Sequence, residues 1–355
     1  MSLGKKLVIT TLVIGLVSGS LLGGLAGCAQ PGPTPTTPAP TPEEKFVWRA
    51  ECAFQPGMPD YTFWVEAMKE LKEISGGRLD ISVFAAGEVV PEEEIQEALR
   101  DGIIEVGNLA TPYWKETLPV GAWEYLPFSQ QFDSAKELLD MVHDSGLADV
   151  LEEGYNEHNM HWYGFGYCSG YPFLYSTKPV RTTDDLEGLV VRSVGDNAKA
   201  LEAFGASTTY IPGGESYMAL KLGTVDAAHW DNSAMFGMGW WEVTDYYITP
   251  AFNVPLVNSC AMNLDAWNSL PEDLQDMFMV AHNLYYFRLV DNATKLDREI
   301  LNRQAECGYE VVTLPADEFG KIRDVAAETL WPDFAALSPR CARAIDILKD
   351  YYGIE

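Results

Sequence analysis

The sequence predicts an α/β protein, and two observations bear on its architecture. Apolar stretches of strand length alternate with longer stretches whose apolar residues recur at helical spacing. One unit also occurs twice. Ala98-Leu99-Arg100-Asp101-Gly102 precedes an apolar run at 103–110 and then Tyr113 and Trp114, while Ala219-Leu220-Lys221-Leu222-Gly223 precedes a run at 224–230 that ends in Trp230. Each copy reads as helix, glycine stop, buried strand and aromatic at the strand's end. Helix–glycine–strand is common in α/β proteins at large, so the repeat alone leaves a single lobe open.

The chain has 355 residues, enough for one large or two medium domains, and 47% hydrophobic residues supply a core. A formal net charge of −28 excludes nucleic acid as a partner and argues against docking on anionic lipid, because both need clustered Lys and Arg. An acidic protein that takes an anion must do so with one focused positive group. Six cysteines stand at 28, 52, 168, 260, 307 and 341, with no C-x-x-C spacing, which speaks against a zinc ribbon or a thioredoxin-type motif.

In chain order, residues 1–27 read as a signal peptide: Lys5 and Lys6, an apolar stretch at 7–22, then Leu25-Ala26-Gly27 before Cys28. An uncleaved membrane anchor is the alternative, since 7–27 nearly spans a bilayer. Residues 29–42 form a Pro/Thr tether that can build neither core nor ladder. The folded part starts near Lys45 with a strand at 46–54 and a helix whose apolar face is Phe63, Trp64, Ala67, Met68, Leu71 and Ile74. Gly76-Gly77 ends it. A strand follows at 79–84, then a helix at 91–100 opened by glutamates that suit its N-terminus. An amphipathic helix is expected at 134–153 and a strand crossing between lobes at 160–167. A returning strand is expected at 258–264, one long helix at 271–306 and a last strand at 309–314, before two closing helical segments.

The stretch 178–231 carries the candidate site. Leu189-Val190-Val191 form a short strand that ends in Arg192, and Asp196-Asn197 are placed to cap the helix at 198–204. Pro212-Gly213-Gly214-Glu215 turns into a short helix, and the strand at 224–230 delivers His229, Trp230 and Asp231 at its carboxyl end. Ligands of open α/β sheets bind outside the carboxyl ends of strands. An arginine there offers a planar fork that matches a carboxylate; a paired structural arginine is the plain alternative.

The motifs Leu186-Glu187-Gly188-Leu189-Val190-Val191-Arg192, Pro212-Gly213-Gly214-Glu215, Ala219-Leu220 with Gly223, and Val225-Asp226 resemble the DctP family, the substrate-binding proteins of TRAP transporters. The likeness runs back through Ser75-Gly76-Gly77-Arg78-Leu79, Gly87-Glu88-Val89-Val90-Pro91 and Leu126-Pro127-Phe128, and Leu25-Ala26-Gly27-Cys28 resembles a bacterial lipobox. The resemblance implies a periplasmic-binding-protein-like fold of type II, two lobes with a cleft between them and a long helix spanning both. It implies lobe 1 over 45–168 plus about 256–297, and lobe 2 over 169–255 plus about 298–355. It further implies an extracytoplasmic lipoprotein, lipidated at Cys28, that captures a small organic acid and delivers it to two integral membrane subunits. Arg192 would take the carboxylate. Trp230, Tyr113, Trp114, Tyr171, Phe173, Glu215, Asp231 and His229 complete the expected substrate site. Some two-oxoacid-binding relatives carry a glutamate in place of His229 and hold a metal across the substrate. Histidine suits hard cations poorly, so no cofactor is expected, and a metal ion bridging the ligand stays open but is not favoured.

Two other classes stay open. Gly166-Tyr167-Cys168-Ser169-Gly170 fits G-x-C-x-G, a cysteine form of the nucleophile elbow, with His161, His229 or His282 as base; Tyr171-Pro172 does not open a helix as that motif requires. A binding module that reports ligand occupancy to a membrane receptor would use the same cleft.

Overall fold

The computed structural model describes residues 44–168, 170 and 172–354, and Cys28 and its tether lie outside the described residues. Eleven strands form two sheets. In chain order they are β1 (Phe46–Cys52), β2 (Leu79–Phe84), β3 (Val106–Asn108), β4 (Met160–Cys168), β5 (Leu174–Ser176), β6 (Val190–Arg192), β7 (Ser207–Thr209), β8 (Ala227–Ala228), β9 (Tyr246–Thr249), β10 (Leu256–Asn263) and β11 (Glu310–Thr313). The first sheet has the order β2-β1-β3-β10-β4, the second β11-β9-β5-β8-β6-β7. Neighbours β1, β2 and β3 are parallel, as are β6, β7 and β8; in the first sheet β10, arriving from the second, runs antiparallel to both β3 and β4, and in the second β5, arriving from the first, runs antiparallel to both β8 and β9. Each sheet with its helices is one lobe.

Among the described residues four stretches join the lobes: β4 into β5, β9 into β10, the helix Glu272–Cys307, and the C-terminal run that leaves β11 and ends as a helix on the first lobe. The helix Glu272–Cys307 has 36 residues, about 54 Å at 1.5 Å per residue. It packs on the helix Pro59–Ile74 and on β4 in the first lobe and reaches β11 in the second. Its close approach depends on two glycines of β4. A Cβ on Gly164, whose φ is +141°, would come 2.5 Å from His282 Nε2, and one on Gly166 would come 2.9 Å from the Tyr285 hydroxyl. Among the described residues no helix is long and apolar enough to cross a membrane.

Several boundaries differ from expectation for identifiable reasons. The helix expected at 134–153 is two, Ala135–Asp144 and Leu147–Asn156, because Gly146 turns left-handed at φ +85°. The strand expected at 224–230 pairs only over β8, although the amides of Asp226 and His229 extend its bonding to Val190 and Arg192. Asp196 does not cap its helix: Val194 holds the N-cap, and the Asp196 carboxylate is drawn to Lys115 instead. The closing helix Pro339–Tyr352, expected with lobe 2, packs on Leu147–Asn156 and on the turn Pro119–Tyr125 of the first lobe, where Arg343 pairs with Glu153 and Arg340 with Glu157. Cys52, Cys168, Cys260, Cys307 and Cys341 are all free thiols.

The second crossover is stitched to the first lobe by polar groups. Phe128 N bonds Phe252 O, Val254 N bonds Gln130 O, and Phe132 N bonds Val254 O. The main-chain carbonyl of Glu124 receives Gln130 Nε2 at 2.6 Å and Asn253 Nδ2 at 3.2 Å. Its carboxyl is fully buried, accepts from Ser259 N and Thr111 Oγ1 at 3.1 Å, and meets Ser259 Oγ. Burial pushes this carboxyl up to about 8. The folded protein therefore keeps a proton that the unfolded chain releases, and stability falls as pH rises from the ordinary carboxyl value of 4.5 to about 8. The loss is about 1.4 kcal/mol per unit of separation. Urea melts of Glu124→Gln, which mimics the protonated group, are expected to lack the part of the wild-type decline that falls in this window. An unchanged pH profile in the variant would show that Glu124 ionises freely.

Candidate functional site

The parallel strands β6 and β8 end side by side, with Arg192 opposite Ala228. Arg192 is 1% exposed. Its Nε donates to Ile211 O at 3.0 Å, Nη1 to His229 O at 3.1 Å, and Nη2 to the Tyr113 hydroxyl at 3.4 Å. The guanidinium lies over the Trp230 ring, 4.5 Å from its centroid, within the range of a cation–π contact. The turn after Pro212 makes room for that indole: a Cβ on Gly213 would stand 2.6 Å from it. Sequence thus fixes the cation from three sides, by the end of β8, by the carbonyl before the Pro-Gly-Gly turn, and by the tryptophan that the turn admits.

The opposite wall comes from the first lobe. Ala53 and Phe54 follow β1, Ala110 to Tyr113 follow β3, and Glu92 opens the helical segment before Ile95–Arg100. With Arg192, Trp230 and Asp231 they enclose about 330 Å³ of void, of which about 20 Å³ admits water. The lobes touch around this space. Tyr113 meets Tyr210 edge-on at 5.3 Å, Pro112 abuts Gly195, and Lys115 Nζ bonds both Asp196 oxygens at 2.7 and 2.5 Å. Glu92 is buried, and its Oε1 finds no hydrogen-bond partner among the described residues. Burial raises its pKa, while the Arg192 charge and the Tyr113 hydroxyl pull it partly back.

Behind the cavity two buried carboxyls from opposite lobes come together, Asp60 and Asp231. Burial pushes Asp60 well up, and the charge of Asp231 adds to this; burial also raises Asp231, against the Ser233 amide at 2.7 Å. Cys168 lies 3.8 Å from Asp60 and accepts Asn258 Nδ2 at 3.0 Å. Its thiol is driven far above the ordinary value, first by burial and then by Asp60 and Asp231. A nucleophilic cysteine needs an electropositive, accessible setting, and Cys168 has the reverse. No histidine is among its partners, and Gly166 in the would-be elbow is explained by Tyr285.

Of the expected substrate residues, Arg192, Trp230, Tyr113 and Asp231 line the cavity. Trp114, Phe173, Glu215 and His229 do not. Trp114 is buried in its own lobe with Nε1 on Glu93 O at 2.7 Å, and Phe173 is fully buried against Phe252. Glu215 is exposed in the first turn of Gly213–Lys221, where an acid suits the helix N-terminus. His229 turns its ring behind the strand toward Ser193 and Phe252, and burial with the Arg192 charge holds its pKa well below normal; its carbonyl, not its ring, serves the site. Tyr171 lies outside the described residues. Sequence reasoning missed Glu92, Asp60 and Phe54. Glu92 is masked in its run by the acids that any helix N-terminus favours, and Asp60 reads as an ordinary loop polar residue.

Comparison with known proteins places this geometry. The chain is 26% identical over 279 residues to the monocarboxylate 2-oxoacid-binding periplasmic protein of Nostoc sp. (strain PCC 7120), covering 75% of this chain and 73% of that one. It is similar in structure to a TRAP periplasmic solute-binding protein from Pseudoalteromonas atlantica T6c with bound sodium and pyruvate, at TM-score 0.78 and 26% identity over 87% of this chain and 94% of that one. A TRAP transporter solute-binding protein from Bordetella bronchiseptica RB50, with calcium and picolinate in its site, gives TM-score 0.79 at 22% identity over 87% and 94%. Residues 53–336 match the model of bacterial extracellular solute-binding protein family 7, DctP, and the chain belongs to that family.

Proposed function

We propose that this protein captures a small monocarboxylate between its lobes, outside the cytoplasm, and hands it to the two integral membrane subunits of a TRAP transporter. It acts as a binding protein and not as an enzyme, held to the membrane by lipid on Cys28 through the tether at 29–42. One observation carries the reading of the ligand. Arg192 is buried at the mouth of two strands, and of its five N–H groups three are assigned, to Ile211, His229 and Tyr113, which leaves two for a ligand. Those two match a carboxylate, and Trp230, Tyr113 and Phe54 supply an apolar wall for its body. The relatives with bound pyruvate and picolinate agree with such a ligand.

A metal bridge does not fit the donors that are present. His229 directs its ring away, Asp231 is engaged by Ser233, and Asp60 by Cys168 and Tyr285. Recognition here runs through Arg192.

The closed arrangement is held by Lys115 and Asp196, whose side chains are 17% and 3% exposed. Asp196 also meets Lys199 at 3.3 Å, so removing Lys115 leaves its buried carboxylate partly paired, at a cost below that of a fully unpaired buried charge, about 3–5 kcal/mol. Lys115→Met is therefore expected to shift the lobes open, seen as a larger radius of gyration in solution scattering with ligand absent, and to weaken ligand affinity by about tenfold or more. An unchanged radius and affinity would remove this pair from closure.

Thermal melting with and without pyruvate or picolinate tests the anchor. Wild type is expected to gain stability, about 2.7 kcal/mol at a hundredfold excess over Kd, and Arg192→Ala to gain none. Equal gains in both would take Arg192 out of the site. The pH dependence follows from Glu92, which faces Arg192, Tyr113 and Glu93. A bound carboxylate beside it favours its protonated form, so binding takes up a proton and affinity weakens as pH rises through its raised pKa. Glu92→Gln is expected to bind more tightly at neutral pH and with a flatter profile. Weaker binding by Glu92→Gln across all pH would show that its charge assists the ligand.

A further inference from the structure

A second cavity lies outside the interlobe cleft, where the helix Ala316–Val325, the wide turn Ala326–Leu330 and the helix Trp331–Ala336 meet the end of Pro339–Tyr352. It holds about 340 Å³ of water-accessible space, within the range of small-molecule sites. Its origin is legible in the sequence. Phe319, Arg323, Ala326 and Ala327 share one face at i, i+4, i+7 and i+8, and two alanines stand where larger side chains would fill the space. Pro332 has no amide for the carbonyl four residues back, and the chain widens there to a π turn before bringing in Trp331.

The walls are fixed before any ligand arrives. Trp331 Nε1 donates to Pro127 O at 2.9 Å. The Tyr352 hydroxyl donates to Ser129 O at 3.2 Å and receives Gln131 N at 2.9 Å. Phe128 adopts a left-handed φ of +66°, rare for an aromatic residue, with its ring against Phe252 and 5.3 Å from Phe319.

The charge at the cavity runs against the rest of the molecule. In a chain with 52 acidic and 24 basic residues, the described lining holds Arg323 and Lys349 and no Asp or Glu. Arg323 has no hydrogen-bond or ion-pair partner among the described residues, although arginines such as Arg78, Arg288, Arg340 and Arg343 all pair with carboxylates. We propose that this cavity is a second binding site, for an amphipathic monoanion whose apolar body lies between Phe128, Phe319 and Trp331 and whose anionic head pairs with Arg323.

Octanoate and 2-naphthoate, titrated by calorimetry into the purified full chain, test this. The expected result is saturable 1:1 binding of at least one probe in wild type and in Arg192→Ala. Affinity should fall by about tenfold or more in Arg323→Glu and be lost in Ala327→Trp, which fills the space. Ala327 and Arg323 are exposed, so both variants are expected to keep the wild-type melting temperature, measured alongside. The tighter probe tells an acyl chain from an aromatic acid. Absence of saturable binding of both probes overturns the proposal, as does wild-type affinity in either pocket variant. Loss of binding in Arg192→Ala would place the probe in the interlobe cleft and overturn it equally.

Discussion

The site depends on a buried cation whose direct hydrogen bonds are to main-chain carbonyls and a phenol, not to a carboxylate. The carbonyls of Ile211 and His229 and the hydroxyl of Tyr113 partly replace the water that Arg192 gave up. Dipoles of this kind orient a guanidinium without neutralising it. The strand ends, the Pro-Gly-Gly turn and the indole of Trp230 all serve that one orientation. The charge is left for something that enters.

Holding a cation in this way requires two lobes that meet accurately and still separate. The long helix and the two strand crossovers supply the connection, and the glycines of β4 let helix and strand approach at the distance where Tyr285 reaches Asp60. The crossover at 250–255 is tied to 128–132 by backbone bonds and to Glu124 by side-chain amides. Contacts across the cleft include Lys115 with Asp196, Arg192 with Tyr113, Tyr113 edge-on with Tyr210, and Pro112 against Gly195. These contacts are made by side chains that water can replace once the lobes part, whereas separating the crossovers would break buried main-chain bonds. The division between a firm joint and a loose mouth follows from the kind of group placed at each.

What the sequence showed and hid has a physical pattern. The long helix was legible because its apolar residues repeat over ten turns, and Arg192 and Trp230 because each closes an apolar run after which the chain must turn. Gly223, expected to end its helix in a left-handed conformation, does so at φ +69°. Trp114 and Phe173 were misplaced because an aromatic at a strand end points into the cleft or into its own lobe according to one turn of backbone, which no pattern of apolarity records. Asp60 and Glu92 were illegible for the opposite reason. Acidic residues in loops and first turns are ordinary, and only the approach of the second lobe buries them. The return of the C-terminal helix to the first lobe was likewise invisible, since the ion pairs that hold it, Arg343 with Glu153 and Arg340 with Glu157, lie almost two hundred positions apart.

For a chain of net charge −28, the anion proposed for the cleft poses an electrostatic problem, and the cleft would resolve it by burial. Repulsion from surface carboxylates is screened within about 8 Å at physiological ionic strength, so the groups that matter are Glu92, Asp60 and Asp231. All three are buried and all three have raised pKa values, chiefly from desolvation. Each that keeps its proton becomes a hydrogen-bond donor where a charge would have opposed the ligand. Arg192 is then opposed by little besides the dipoles that orient it. The same arrangement would limit what fits: a second carboxylate on the ligand would face Asp231 in the lining, with Asp60 behind it, and would have to be protonated or repelled. In the proposed reading, one carboxylate on a small apolar body would meet the cation at one end and uncharged or aromatic groups at the other, and this asymmetry, more than the overall charge of the protein, would select the ligand.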